Sequence, residues 1–364
     1  MYKFFMPTCV YVGDSCVFEN KKELILGNYA FIVTGKSSGE KSGALGDVVS
    51  VLEENSIKYY IYNKVENNPE IVQTAKAGTL ARELGCDFII AIGGGSPLDA
   101  SKAIAVYATN QIEPYGIFSG EYENKPLPMV AIPTTAGTGS EVTPYSILTL
   151  HKEQTKKSFS SKEVFFKSAF LDGKYTLNLP LQVARNTAVD AMCHLIEGYT
   201  NKKASTGTDY MALEGLKIIG NHLEKLKDGS LTKDSCTELL WASCLGGIVI
   251  SQTGTTIVHS MGYQLTYFKD IPHGMANGYL LYEYLKRVDT KRMARCLYSL
   301  GLESLSELKE YLNIILPREY DITEKELEEW SEISIKARNV ASCPFPVSQE
   351  LEIEMYKKSL LKCE

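Results

Sequence analysis

Asp190 and His194 stand four residues apart in the segment AVDAMCHLIEGY, which runs from Ala188 to Tyr199. The apolar residues of this segment recur at helical spacing, which predicts a buried helix. Residues at i and i+4 share one face of a helix, so we expect the carboxylate and the imidazole side by side. Burying both groups is costly unless something pairs with them. A metal ion would do so, since carboxylate oxygen and imidazole nitrogen both bind divalent first-row metals.

Two further histidines occur in apolar, glycine-flanked segments: His259 in GTTIVHSMGY and His273 in KDIPHGMAN. Together with Asp190 and His194 they offer one oxygen and three nitrogen ligands. This set suits iron(II), zinc, manganese or cobalt, and it lacks the thiolates that favour structural zinc. A single histidine on an apolar face is more often an ordinary core residue, so the hypothesis depends on the whole set. The other two histidines have charged or polar neighbours and are interpreted as surface residues: His151 and His222.

Two loops rich in glycine or hydroxyl groups follow strand-like runs. The first, GGGSPLDASKA, begins at Gly93 and leads into a helical pattern. A strand, glycines and a helix start present free backbone N–H groups and the helix dipole to a phosphate. Ser96 is predicted to be the N-cap of this helix, with Pro97 at its first position. The second loop is PTTAGTGSEVT, from Pro133 to Thr143. A turn without a ligand explains one such loop more easily than both.

The first half of the chain alternates strand-like runs with helical patterns. The clearest strand-like runs are Tyr29–Thr34, Lys58–Tyr62, Asp87–Ile92 and Met129–Pro133. This alternation predicts βαβ units and a doubly wound, mostly parallel sheet, which binds ligands at the carboxyl ends of its strands. Helical patterns dominate after about residue 178. We therefore predict an α/β dinucleotide-binding domain over residues 1–178 and an all-α metal-binding domain over residues 179–364.

The composition excludes several classes of protein. The 364 residues carry a formal net charge of -6, which argues against a nucleic-acid partner. Apolar runs stay short of the roughly 20 residues of a membrane span, and the first residues lack the apolar core of a signal peptide. We therefore expect a cytoplasmic protein without a membrane partner. The nine cysteines contain no CxxC pair and are expected to be reduced thiols.

Four motifs together resemble the iron-dependent (group III) alcohol dehydrogenases: GGGSPLDASKA, PTTAGTGSEVT, AVDAMCHLIEGY and HSMGYQLTYFKDIPHGMAN. They occur in the family's order, and the resemblance covers nearly the whole chain. It implies metal ligands at Asp190, His194, His259 and His273, with Fe(2+) as the native ion and zinc or another divalent ion as a substitute. Family members are commonly dimers or larger, so the resemblance also implies a homo-oligomer, most simply a dimer.

The resemblance further implies where a nicotinamide dinucleotide would bind. The pyrophosphate would lie on Gly94, Gly95 and Ser96, with Asp99 nearby. The other implied contacts are on the nicotinamide side, at one ribose and at one further position: Thr134, Thr135, Thr138, Thr143 and Ile147; Lys156; and Asn68. Many members carry a histidine four residues after the third metal ligand, where this chain has Tyr263. Proton relay through Tyr263 is therefore an expectation that departs from the family pattern.

The loop after the YAFIVT strand bears on the choice between NADP(H) and NAD(H). It reads Gly35-Lys36-Ser37-Ser38-Gly39, with no carboxylate before Glu40. In the family, an Asp in this loop accepts the ribose 2′-hydroxyl of NAD, and such a carboxylate would repel a 2′-phosphate. Here Lys36 offers charge, while Ser37 and Ser38 offer hydroxyl donors. The alternative is a solvated loop whose lysine touches nothing. We predict a preference for NADP(H), with NAD(H) second.

The sequence as a whole predicts an iron-containing, NAD(P)-dependent alcohol dehydrogenase. It would transfer hydride reversibly between a nicotinamide cofactor and a small primary alcohol or aldehyde. Two alternatives stay open: a dehydroquinate synthase-like or glycerol dehydrogenase-like zinc enzyme of the same fold, and a catalytically inactive scaffold. Synthases of the first type need basic residues to grip phosphate and carboxylate, whereas apolar residues surround the metal motifs here. The complete four-ligand set disfavours the scaffold.

Overall fold

The computed structural model describes residues 2–153, 155–318 and 320–361. The chain divides into two compact units, which we call the α/β unit and the helical unit. The α/β unit comprises Phe5–Leu179 and Thr232–Cys244. The helical unit comprises Pro180–Leu231 and Leu245–Glu364, together with the chain start up to Phe4. A short piece of the C-terminal half, Thr232–Cys244, therefore belongs to the α/β unit.

Parallel strands form the main sheet of the α/β unit. The described strands of the α/β unit are β1 Cys9–Val12, β2 Tyr29–Gly35, β3 Lys58–Val65, β4 Phe88–Gly93, β5 Met129–Pro133, β6 Tyr145–Leu150, β7 Thr155–Ser160 and β8 Ser168–Leu171. Six of these make one sheet in the order β1-β8-β5-β4-β2-β3, and every adjacent pair is parallel. Strands β6 and β7 form a separate antiparallel hairpin. The order reverses between β2 and β4.

The described helices of the α/β unit are α1 Cys16–Glu19, α2 Lys21–Leu24, α3 Ser38–Lys41, α4 Ala44–Glu54, α5 Ile71–Leu84, α6 Gly95–Thr109 and α7 Lys174–Leu177. Those that follow are α8 Leu181–Thr200, α9 Thr206–Gly220, α10 Leu223–Asp228, α11 Lys233–Thr253, α12 Ile257–Lys269, α13 His273–Leu285, α14 Thr290–Ser299, α15 Leu305–Ile315, α16 Glu324–Ser334 and α17 Gln349–Leu360. The described part of the helical unit contains no strand. The predicted fold class, a parallel α/β sheet followed by helices, is confirmed.

The central strands read as continuous apolar runs because both faces of the sheet are covered. Every residue of β4 and β5 is buried, as is the middle of β2. Ile32 on β2 pairs in register with Ile90 on β4, which pairs with Val130 on β5. These side chains join Val48 and Leu52 of α4 in one core. Parallel strands covered on both sides typically lack polar alternation.

A tight turn in the helical unit joins two of the helices that carry predicted ligands. Helix α12 ends at Lys269, and its C-cap residue Asp270 has a φ of 52°, in the left-handed region. Pro272 then caps α13, which begins at His273. Pro272 has a non-helical ψ of 134°, so the helix cannot extend before His273. The turn therefore places His273 at the first position of α13.

None of the described helices combines the length and the apolar character that crossing a membrane requires. Eight of the nine cysteines lie in described residues, and each is a free thiol. The ninth, Cys363, lies outside the described residues.

Candidate metal centre and cofactor loops

Three helices of the helical unit bring the predicted metal ligands together. Helix α8 carries Asp190 and His194 one turn apart, His259 lies near the start of α12, and His273 is the first residue of α13. Asp190 Oδ1 lies 3.7 Å from His259 Nε2 and 3.9 Å from His273 Nε2. The ligand atoms of these three residues all lie within 4.8 Å of one another. The separations of both imidazole nitrogens from Asp190 Oδ1 are compatible with one ion that has bonds of about 2.0–2.2 Å.

His194 lies beside these three residues but is not among those whose ligand atoms all lie within 4.8 Å of one another. Its ring stacks on that of His259, with the ring centroids 4.6 Å apart and the planes 19° from parallel. His194 is itself buried. The structure thus gathers all four predicted residues into one cluster, in which Asp190, His259 and His273 have the closest ligand atoms. His273 is partly exposed, and the other three residues are buried.

Glu197 belongs to the same cluster, although the sequence analysis did not single it out. It lies one turn beyond His194 on α8 and is wholly buried. Its Oε2 contacts His259 Nδ1, and its Oε1 accepts hydrogen bonds from the Thr256 N–H at 2.8 Å and the Thr256 hydroxyl at 2.5 Å. A carboxylate on one ring nitrogen fixes the tautomer and leaves the other nitrogen for a metal. The spacing H-x-x-E within AVDAMCHLIEGY was the available signal.

The charges of the cluster offset one another. Burial raises the pKa of Asp190, but His194, His273 and His259 outweigh it and bring the pKa below its ordinary value. Burial opposes ionisation of Glu197 too, yet His259 and Thr256 leave the pKa of that carboxyl lowered. Burial by itself lowers the pKa of His259. The facing carboxylates of Glu197 and Asp190 have the larger effect, and the pKa of His259 is therefore above its ordinary value. Both carboxylates are therefore held in the anionic form that binds cations.

Tyr263 lies one turn after His259 on α12 and covers His273. The two rings are 5.1 Å apart between centroids and 8° from parallel. Tyr263 also meets the edge of His259, with centroids 6.4 Å apart. The aromatic ring of Tyr263 is thus adjacent to two of the imidazoles.

In the α/β unit, the GGGS loop leaves β4 and enters α6. The helix already begins at Gly95, with Gly94 as its N-cap. The prediction of Ser96 as N-cap is therefore wrong, because the turn is made at Gly94, two residues earlier. The Ser96 hydroxyl instead accepts a hydrogen bond from the Asn68 N–H at 3.2 Å. The turn itself requires glycine, since Gly93 has a φ of 149° and a Cβ there would lie 2.5 Å from Pro97.

The two loops pack directly against each other. A Cβ at Gly94 would lie 2.9 Å from Thr135 Oγ1, and one at Gly95 would lie 2.6 Å from Thr138 Cγ2. Both distances are too short for real side chains. These glycines therefore permit the two loops to approach each other closely.

A buried lysine that the sequence analysis missed anchors the second loop. Lys102 Nζ donates hydrogen bonds to Ser140 Oγ at 2.8 Å and Thr143 Oγ1 at 3.2 Å. Asp99 accepts from Ser140 Oγ at 2.5 Å and from the Ile147 N–H at 3.0 Å. Burial lowers the pKa of Lys102 to about 8, although Asp99 opposes the shift. Among the predicted cofactor residues, Asp99 thus accepts a hydrogen bond from Ile147, and Thr143 accepts one from Lys102.

Three other predicted cofactor residues meet at Asn68, which has a φ of 59°. Its side-chain oxygen accepts from Lys156 Nζ at 2.6 Å, and its N–H donates to Ser96 as described. Nearby, the Thr134 N–H donates to the Gly93 carbonyl at 2.9 Å, which ties the ends of β5 and β4 together. The structure therefore brings Asn68, Ser96 and Lys156 into one hydrogen-bonded group.

The loop after β2 has no carboxylate before Glu40 in its own sequence, but Lys36 in this loop contacts a carboxylate from another part of the chain. Lys36 Nζ lies 3.0 Å from Glu66 Oε1, and both side chains are more than 70% exposed, at 73% and 72%. Glu66 directly follows β3, the neighbour of β2 in the sheet. Parallel pairing carries this carboxylate to the end of β2. Lys36 is therefore not the lone charge that the loop sequence indicates.

Elsewhere, His151 is exposed as predicted, but the interpretation of His222 as a surface residue is wrong. His222 is buried at the N-terminus of α10. The prediction used the polar residues next to His222 in the sequence, and these do not determine whether the His222 side chain itself packs into the interior.

Two family models account for most of the chain. Residues 7–173 match iron-containing alcohol dehydrogenase, and residues 184–360 match the C-terminal part of the Fe-containing alcohol dehydrogenase family. The chain belongs to the iron-containing alcohol dehydrogenase family. It is an oxidoreductase that acts on alcohols, and the resemblance of its four motifs to this family is confirmed.

Individual proteins are similar to this alcohol dehydrogenase over much of their length. An iron-containing alcohol dehydrogenase from Thermotoga maritima is 36% identical, with 99% of each chain covered and a TM-score of 0.91. The NADPH-dependent butanol dehydrogenase of Clostridium saccharobutylicum is 29% identical over 90% of this chain and 89% of its own. The 1,3-propanediol dehydrogenase of Citrobacter freundii is 32% identical over 76% of this chain and 71% of its own.

Membership of the family implies iron and a nicotinamide cofactor. The residues fit a divalent ion, because a buried carboxylate and two imidazoles offer ligand atoms within 4.8 Å and a third imidazole stacks on one of them. They also fit a dinucleotide, because the glycine turn between β4 and α6 lies beside the point where the sheet order reverses, between β4 and β2.

Proposed function

We propose that this alcohol dehydrogenase interconverts primary alcohols and aldehydes by reversible hydride transfer, with NADP(H) preferred over NAD(H). The grouping of Asp190, His259 and His273 within 4.8 Å supports the metal-dependent part of this proposal. The glycine turn at the start of α6 supports the dinucleotide-dependent part. In this proposal residues 1–178 serve the cofactor and residues 179–364 serve the metal.

Asp190, His194, His259 and His273 would hold one Fe(2+), and zinc or another divalent ion can replace it because these ligands suit several metals. The ion supplies a Lewis acid for the substrate oxygen. Asp190 contributes the negative charge, and Glu197 keeps His259 oriented with Nε2 towards Asp190. Tyr263, against His273, would carry the proton that alcohol oxidation releases.

For the cofactor, we propose that the N–H groups of Gly94, Gly95 and Ser96 bind the pyrophosphate at the positive end of α6. The nicotinamide supplies the hydride chemistry. Thr135 and Thr138 are partly exposed and available for direct contact. The remaining proposed contacts either touch the cofactor or hold the loops that do: Asn68, Asp99, Thr134, Thr143, Ile147 and Lys156.

The preference for NADP(H) depends on Gly35, Lys36, Ser37 and Ser38. These residues supply space, charge and hydroxyl donors, and the NADPH-dependent butanol dehydrogenase among the relatives supports this choice. The contact of Lys36 with Glu66 opposes it. An exposed ion pair is worth only about 0–1 kcal/mol, however, so a phosphate can compete for Lys36.

We infer small primary alcohols as substrates, since two of the relatives bear the names of a butanol and a 1,3-propanediol dehydrogenase. We propose a homodimer from the family resemblance, and a cytoplasmic location from the absence of a long apolar run in the sequence.

The test is a substrate panel with the full chain, stripped of metal by a chelator and reconstituted with Fe(2+) under reducing conditions. We expect oxidation of short primary alcohols that disappears on stripping and returns with iron. His273→Ala should lose most bound metal and nearly all turnover. Full metal content and activity in that variant, or equal turnover in stripped and loaded wild type, would refute the proposal.

A further inference from the structure

Asn277 contacts the same three atoms that define the closest ligand group. It lies one turn after His273 on α13 and is wholly buried. Its amide nitrogen is 3.0 Å from Asp190 Oδ1, 3.3 Å from His259 Nε2 and 3.2 Å from His273 Nε2.

Gly262 on α12 determines how the amide is oriented. A Cβ at Gly262 would collide with Asn277 Oδ1, so the glycine leaves room for the carbonyl end. Among the described residues, Asn277 Oδ1 has no hydrogen-bond partner. The reverse orientation would direct this oxygen at a carboxylate and two imidazole nitrogens, which are acceptors in their ligating forms. The amino end of Asn277 therefore faces the ligands.

The amide hydrogens and a cation need the same lone pairs. Glu197 on Nδ1 of His259 leaves Nε2 as the nitrogen with the lone pair. An imidazole nitrogen has one lone pair, which can face an amide hydrogen or a metal but not both. A carboxylate oxygen has more than one acceptor direction, so Asp190 can serve Asn277 and a cation together.

We propose that Asn277 is a positioning residue of the metal centre, whose amide competes with the divalent cation for His259 and His273 while it retains Asp190. This inference rests on the proposed metal site. The amide gathers the three ligands before a cation enters, and the cation must then displace it from both imidazoles. Asn277 therefore lowers the affinity of the site while keeping its ligands in position.

The experiment is a competition titration with Zn(2+) on the chelator-stripped full chain. Wild type is compared with Asn277→Ala and with Asn110→Ala, a buried asparagine of the α/β unit that donates to Val106 and Asn124. We expect Asn277→Ala to bind zinc about tenfold more tightly, which corresponds to about 1.4 kcal/mol. Its melting midpoint should fall in the stripped form and rise more than that of wild type when zinc is added. Asn110→Ala should keep the wild-type affinity.

Equal or weaker zinc binding by Asn277→Ala, with normal binding by wild type, would overturn this inference and leave the metal site standing. Failure of wild type to bind zinc would overturn the site and the inference together. If Asn277→Ala does not fold, Asn277→Ser replaces it, because its hydroxyl is too short to reach the ligands yet stays polar. The same tighter binding is expected, and weaker or unchanged binding would count against the proposal.

Discussion

Glu197 and His259 form a buried pair in which the carboxylate contacts Nδ1, while Nε2 on the other side of the ring lies 3.7 Å from Asp190. The ring is thus held between two carboxylates. Thr256 secures Glu197 with two hydrogen bonds, so the pair cannot rotate without breaking them. Glu197 therefore orients one of the proposed metal ligands without being a proposed ligand itself.

Glu197→Gln should weaken metal binding by about 10- to 100-fold, the usual effect of losing a partner that orients a metal-bound histidine. The variant removes the charge that holds His259 but changes little volume. Zinc and iron affinities of the stripped chain, measured by competition with a chelator, provide the test. Glu352→Gln is the matched control, since Glu352 is also fully buried in the helical unit but pairs with Ser334. Equal losses in the two variants would contradict a specific role of Glu197.

Cofactor preference should respond in opposite directions to changes at Lys36 and Glu66. Lys36→Ala should lower the ratio of kcat/KM for NADP(H) over NAD(H) by about tenfold, because a charge-assisted contact to the 2′-phosphate is lost. Glu66→Gln should raise the ratio by about twofold to fivefold, as expected from freeing a lysine from an exposed ion pair. A wild-type ratio at or below one would refute the preference itself.

Gly35→Asp should shift the ratio towards NAD(H), since a carboxylate there repels a 2′-phosphate. The new Cβ would lie 2.8 Å from Ser38 Oγ, so that hydroxyl must turn away. Gly35→Ala shares this crowding without the charge and is the matched control. If both variants shift the ratio equally, crowding rather than repulsion decides the preference.

Gly95→Ala should raise the KM for the cofactor by about tenfold, because its Cβ would press on Thr138 Cγ2 and displace the second loop. Thr138→Ser deletes that methyl group but keeps the hydroxyl, which accepts a hydrogen bond from the Ser140 N–H at 3.3 Å. The double variant should recover most of the lost affinity. Persistent weak binding in the double variant would show that access to the N–H groups, and not loop packing, is the requirement.

Stability should fall as pH rises through the titration of Glu352. Burial raises the pKa of this carboxyl to about 7 from an ordinary value near 4.5. The folded chain thus holds a proton that the unfolded chain releases between these values, and the linked stability of about 3 kcal/mol is lost as pH rises from about 4.5 to 7. Glu352→Gln stays neutral and should unfold later than wild type at pH 8.

The comparison needs unfolding midpoints of both proteins at pH 5 and at pH 8. We expect the advantage of Glu352→Gln to shrink or reverse at pH 5, where wild type is protonated. An advantage that is the same at both pH values would mean that Glu352 does not titrate in this range.

Local patterns predicted the central strands well because these strands are buried on both faces. The run MVAIP was predicted as a strand over Met129–Pro133, which is where β5 lies. Strands β1 and β8 and the hairpin β6–β7 were not predicted. Strands β1 and β8 are only four residues long, and β7 is mostly polar, so none of them gives a comparable apolar run. The N-cap of α6 was predicted two residues late, because glycine is also a common N-cap residue and Gly94 already makes the turn.

The sequence by itself determined the fold class, the family and the ligand candidates Asp190, His194, His259 and His273. Those depend on spacing along the chain and on residue chemistry, which can be read locally. The tertiary structure decided that Glu197 and Asn277 join the cluster, that Lys102 anchors the second loop, and that Glu66 reaches Lys36. These contacts link residues that are far apart in the chain. Asn277, for example, is 18 positions from His259 and 87 from Asp190. Only the packing of helices and the order of strands brings such residues together.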